Sequence, residues 1–349
     1  HCANPLERGN FLAAPPWPPA SCDARLLAAR QQLEQPSRAA EGLLPQGLAL
    51  GPQPPQAPLL EPANPEQAWS ELRRWLEQPQ RVWLEALGLR PQEFDHPVLD
   101  RDALELGERE RAALLREQLD PQLAGDAADL PDWPWLQRGR GLLPARAAGA
   151  LEVQQLEQRW LALMECLERL GPTRQEAARW GGLAGELSWR GHQLVLVHTA
   201  KPRSPQRLIL WLDLLLACAA GQSPGGAALV GRDGHRFRVL ERLEAPSAAA
   251  AAELLEQLQH WHQGHQQRCW PLPPATGWAY ASASEPRRWG AAQLAWEGGF
   301  QQSAERRDPV QAVCFGMDLP LAELLTAERQ ALAEQLYGPL LERREEVKG

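Results

Sequence analysis

Residues 207–220 read RLILWLDLLLACAA. Apolar residues stand on every side of this segment, so as a helix it has no solvent face and must be covered all round. It is too short to span a bilayer, so the cover is protein. The flanking sequence offers strands for that purpose. Upstream, Leu183, Gly185, Leu187 and Trp189 alternate with polar or small residues, and Arg190-Gly191 marks a turn. The next run, QLVLVH (193–198), is almost wholly apolar, the pattern of a strand buried on both faces. Downstream, AALVG (227–231) and RFRVLER (236–242) flank Asp233-Gly234, a strong hairpin signal. A long amphipathic helix over 150–179, with Leu156, Trp160, Leu163 and Leu167 on one stripe, precedes the strands. A helix capped by Ser247 and running to about Gly264 follows them. The middle of the chain therefore reads helix–strand–strand–helix–strand–strand–helix, an α/β sandwich.

Outside this core the texture changes. Residues 1–62 are proline-rich (APPWPP, GPQPPQAP) and read as an extended arm with one short helix, SCDARLLAARQQLEQ, capped by Ser21 or Asp23. At Asn64-Pro65-Glu66-Gln67 a helix begins: Asn as N-cap, Pro at the first helical position, Gln at the capping-box position. Pro79 splits ELRRWLEQPQRVWLEALGL into two short helices or one kinked helix with a tryptophan-rich face. Residues 103–123 read as a surface helix, 130–145 as a loop, and the tail from 318 as one or two helices. The expected organisation is an arm over 1–62 and one domain over 63–349 with its core at about 150–265.

Composition narrows the function. The chain has 349 residues, 44% of them hydrophobic, enough for a sizeable core. Its net charge of −8 argues against a general nucleic-acid coat protein, while leaving room for local basic patches. No apolar stretch of about 18 residues or signal peptide is visible, so no membrane contact and a cytoplasmic location are expected. The first residue is His, which reads as a piece cut from a longer chain. The six cysteines are scattered without C-x-x-C, so a disulfide framework, structural zinc or an iron–sulfur cluster has no support.

Four constellations bear on chemistry. The stretch LVLVHTAKPR (194–203) has the place and texture of a nuclease metal strand, with Lys201 present and no acid. Mg²⁺ needs converging carboxylates, and only Glu186 on the preceding strand is near in sequence; Glu186, His198 and Lys201 thus outline a vestigial pocket without catalytic or metal-binding residues. Asp213, inside the apolar helix, is expected to be hydrogen-bonded. In LQHWHQGHQQRCW, His262, His265 and Cys269 have zinc-ligand spacing, but Gly264 is expected to end the helix and no second ligand cluster exists. Nucleophile elbows and P-loops are missing. In WPWLQRGRG, Trp133, Trp135, Arg138 and Arg140 combine stacking surfaces with cations, as used on single-stranded DNA; the competing reading is that the tryptophans cover the core and the arginines are solvated.

Seven stretches, in order, resemble the C-terminal region of the gamma subunit of exodeoxyribonuclease V, the RecC family: NPLERGNF, SCDARLLAARQQL, ELRRWLEQPQRVWLEALGL, LQRGRGLLPARAAGAL, HTAKPRSPQRLILWLDLLLACAAG, TGWAYA and AEQLYGPLLE. The HTAKPR segment departs from the family's RWRP wording, and neither supplies metal ligands. The resemblance implies a degenerate PD-(D/E)XK nuclease-like (restriction-endonuclease-like) α/β domain with additional helices. It further implies a non-catalytic role in the RecBCD helicase–nuclease: holding RecB-like and RecD-like subunits together, and guiding or splitting double- and single-stranded DNA in double-strand-break repair. No cofactor and no enzymatic activity are expected of this fragment. The alternatives are an active nuclease of the AddB/Cas4 type, which usually carries Asp-x-Lys and often an iron–sulfur cysteine set, or a protein-interaction domain with no DNA contact.

Overall fold

The structure, a computed structural model, describes residues 11, 23–34, 57–58, 61–91, 104–124, 133–234, 236–299 and 303–347. Most of the expected arm over 1–62 lies outside these residues. Within it, α1 (Ala24–Glu34) is the expected short helix, and Asp23 accepts from the Arg25 N–H at 2.8 Å. Ala57 is buried, and its N–H bonds the Gln267 carbonyl at 3.2 Å. The helices α2 (Pro65–Glu77) and α3 (Pro79–Ala86) are separate, with Pro79 at the first position of α3, and Asn64 caps α2 by accepting from the Gln67 N–H at 2.8 Å. Next come α4 (Glu108–Ala124), α5 (Trp133–Gly139) and α6 (Arg146–Glu168).

Two expectations need correction here. The helix read over 150–179 stops at Glu168, and Thr173–Trp180 is the strand β1. Gly171, at φ 97°, and Pro172 break the helix. TRQEAARW lacks a strand pattern because β1 is a mostly exposed edge strand, held by its ladder to β2 rather than by a buried face. The loop read over 130–145 contains α5, whose Pro134 sits in the first turn, where its missing N–H costs nothing.

The strands β2 (Leu183–Arg190) and β3 (Gln193–His198) follow, then α7 (Ser204–Ala219), β4 (Ala227–Asp233), β5 (Arg236–Leu243) and α8 (Ala248–His265). The six-stranded mixed sheet has the order β1-β2-β3-β4-β5-β6, with β6 at Arg344–Glu346. All neighbours are antiparallel except β3 and β4. A parallel pair needs a crossover, and α7 supplies it. Its incoming turn lies on Gly231 of β4, where a Cβ would meet Pro202 Cγ at 2.5 Å.

The sheet is covered on both faces. On β4, Ala227 and Leu229 belong to one apolar cluster with α2, α7 and α8, while Ala228 and Val230 belong to another with α4 and α6. That alternation is the period-two pattern of a strand between two layers. All of α7 from Leu208 to Cys218 is buried, as its all-round apolar sequence demands.

Residues 266–317 carry elements that no strong sequence signal marks: α9 (Pro274–Ser282), α10 (Arg288–Glu297) and α11 (Pro309–Phe315). The tail adds α12 (Leu321–Leu324) and α13 (Ala327–Leu341). These helices extend the first cluster as far as Leu340. Glu305 ties them together by accepting from the Ala275 and Thr276 N–H groups at 2.8 and 2.7 Å, at the start of α9; its burial raises its carboxyl pKa.

Candidate functional site

A cleft of about 500 Å³ opens at the C-terminal end of β3. Its position follows from the sheet: the parallel pairing of β3 with β4 sends the chain out of the carboxyl end of β3 into the crossover to α7, and β2 does not accompany β3 that far. β2 and β3 pair only beside their turn, Trp189 with Leu194 and Arg190 with Gln193. Farther along, β2 is packed by α2, whose Trp69 lies over Gly185; a Cβ there would come within 2.9 Å of the indole Cε2. One and two turns beyond Trp69, α2 presents Arg73 and Glu77 to the cleft.

The opposite wall is α4, with Arg109, Ala112, Ala113 and Arg116 on one face. Thr199 pins this wall to the end of β3 by donating its hydroxyl to the Ala112 carbonyl at 2.7 Å. Arg116 donates to the Val197 carbonyl at 3.0 Å and pairs with Asp120 at 2.6 Å. Leu196, Val197 and, from α7, Ile209 supply an apolar floor. Arg73 is paired with the buried Asp213 of α7, so the acid inside the apolar helix is hydrogen-bonded. Burial nevertheless pushes the Asp213 carboxyl up to about 6, against the pull of Arg73.

Of the three residues of the expected vestigial pocket, His198 lines the cleft, while Glu186 and Lys201 do not. Glu186 is exposed on β2 opposite Ala177, and Lys201 is exposed in the loop after β3. Burial, followed by the charges of Arg116 and Arg203, lowers the His198 imidazole pKa. Glu77 is the one carboxylate among the residues lining the cleft. Among the described residues no three His, Cys, Asp or Glu side chains converge as a metal site would require.

His262 and His265 are occupied otherwise. The helix α8 runs through Gly264 to His265, one residue past the expected stop. Both rings enter a box of tryptophans: His262 stands 5.4 Å from Trp75, and His265 stands 4.7 Å from Trp270 in an edge contact. His265 Nδ1 lies 2.9 Å from the Trp261 carbonyl, and burial lowers both imidazole pKa values.

The tryptophan–arginine group sits on and beside α5. Trp133 packs partly against the second cluster, and Arg140 pairs with Glu117 of α4. Trp135 is 71% exposed, and Arg138, three residues on, is also exposed; that spacing makes them neighbours on one face of the helix.

The arginines of the cleft escape a motif search because Arg73 and Arg109 come from different helices. The available signal is the 109–112–113–116 face of α4, two arginines bracketing two alanines.

A mixed α/β domain with an arginine-lined, carboxylate-poor cleft is thus defined. The family model described as RecC C-terminal domain matches residues 66–285, more than half of the chain. The chain belongs to the RecC C-terminal domain family. Membership implies a subunit role in the RecBCD complex, in DNA repair and recombination. No curated protein sequence matches the chain. Among the described residues no helix is long and apolar enough to cross a membrane.

Proposed function

We propose that the chain is a non-catalytic, nuclease-like domain of a cytoplasmic RecBCD-type complex, which scaffolds the RecB-like and RecD-like subunits and guides DNA without a cofactor of its own. One observation carries this reading. The strand, turn, lysine and buried helix of the PD-(D/E)XK resemblance stand in order as β3, residues 199–203 and α7, yet β3 bears no acid and arginines dominate the cleft beside it. A hard cation is held by converging oxygens, and guanidinium groups repel it. The DNA-guiding part rests on Trp135 and Arg138, a stacking surface beside a cation.

Fluorescence anisotropy with labelled oligo-dT tests that part. Stacking on one aromatic ring contributes about 1–3 kcal/mol per base, so the double variant Trp135→Ala/Arg138→Ala is expected to bind about tenfold more weakly than the unaltered chain. Equal binding by both, or none by either, would favour a pure protein-interaction role.

A further inference from the structure

We infer that the cleft between α2, α4 and β3 is a docking site for an acidic segment with apolar side chains, supplied by another subunit of the complex. The inference rests on the subunit reading above and adds which surface meets a partner, and by what chemistry. Three features of the cleft select this occupant. Its lining carries three arginines, Arg73, Arg109 and Arg116, and the single carboxylate of Glu77; with Arg73 and Arg116 paired to Asp213 and Asp120, Arg109 is the cation left to receive an acid. Its floor is aliphatic: Leu196, Val197 and Ile209, beside Ala112 and Ala113 of α4. No Trp, Tyr or Phe ring lines it, although the chain has 15 tryptophans.

A nucleic-acid strand uses a different surface. It asks for stacking rings and a continuous row of cations, and the aliphatic floor would desolvate phosphates with no return. A peptide uses both parts of this cleft, with Leu- or Ile-like side chains on the floor and Asp or Glu on the arginine fork. The volume of about 500 Å³ suits a few side chains. The arginines are unequal. Arg73 and Arg116 already hold Asp213 and Asp120, which orients them. Arg109 is exposed and has no ion pair among the described residues, so it is the cation most available to a partner.

The test places a photoreactive benzophenone amino acid at Ala113, on the exposed side of the α4 wall, in the assembled complex. After irradiation, the joined peptides are mapped by mass spectrometry. The expected adduct is a partner-subunit peptide in which Asp and Glu outnumber Lys and Arg and at least one aliphatic residue is present. Arg109→Glu should lower its yield about tenfold, the size of one close charge pair. Changing an acid of the captured segment to Arg should restore it in the Arg109→Glu background. Adducts to DNA alone, to another segment of this chain, or no adduct from a complex that assembles normally would each overturn the docking proposal while leaving the subunit reading intact. Failure of the unaltered chain to join the complex at all would overturn both.

Discussion

Glu152→Ala should destabilise the chain by about 3 kcal/mol, the lower end of the cost of breaking a buried ion pair. Glu152 of α6 is almost fully buried and accepts from Arg111 of α4 at 2.9 and 2.6 Å and from the Leu106 N–H at 3.2 Å. Its removal strips the main partner from Arg111 and one from a buried backbone donor. The cost stays at the lower end because Arg111 retains Glu108 at 2.9 Å. Urea unfolding checks the magnitude. α4 is also the wall of the cleft, so hydrogen exchange over Glu108–Ala124 should accelerate more than exchange in α7.

The same network sets an acid limit. Hydrogen bonds from Arg159, followed by those from Arg111, outweigh burial and hold the Glu108 carboxyl down to about 2, from an ordinary 4.5. Arg111 lowers that of Glu152. A carboxyl with a depressed folded pKa binds its proton more readily in the unfolded chain. Its contribution is therefore complete above pH 4.5 and is lost as the pH falls towards 2. Glu152→Gln, neutral throughout, should flatten part of that decline.

Glu241→Ala should cost more, about 4–5 kcal/mol. This buried carboxylate of β5 holds two arginines: Arg207 of α7, at 2.8 and 3.0 Å from its Nε, and Arg344 of β6, at 2.9 and 3.1 Å. Both guanidinium groups also lie over Trp278 of α9, at 5.0 and 5.4 Å. Deleting the acid leaves two largely buried cations beside one ring, with Arg344 keeping only the exposed Glu346 and Arg207 without an ion pair among the described residues. Thermal melting should show the loss, and β6 should lose its exchange protection before the rest of the sheet. Glu241→Gln keeps the shape and part of the hydrogen bonding, and should fall between the two.

What was legible in the sequence was local. Asn64 and Ser247 mark helix starts by their own side chains, and the Asp233-Gly234 turn forces β4 against β5, with Gly234 at φ 60°. QLVLVH and RLILWLDLLLACAA read correctly because burial on all sides leaves one texture. β1 was illegible for the opposite reason: an exposed edge strand needs no apolar alternation, and its Arg, Gln and Glu residues imitate a helix surface. The tryptophan box of His262 and His265 shows the limit of spacing arguments, since side chains three apart on a helix share a face whether they meet a metal or an indole. The cleft was hidden because Arg73 and Arg109 meet only once Trp69 has seated α2 on Gly185 and Thr199 has tied α4 to β3.

The central claim, a nuclease-like domain without nuclease chemistry, is tested most directly by incubating the purified chain with linear DNA and Mg²⁺. No cleavage is expected at any protein-to-DNA ratio, with Glu77→Ala, which removes the cleft's carboxylate, indistinguishable from the unaltered chain. Mg²⁺-dependent cleavage that disappears in Glu77→Ala would contradict the account.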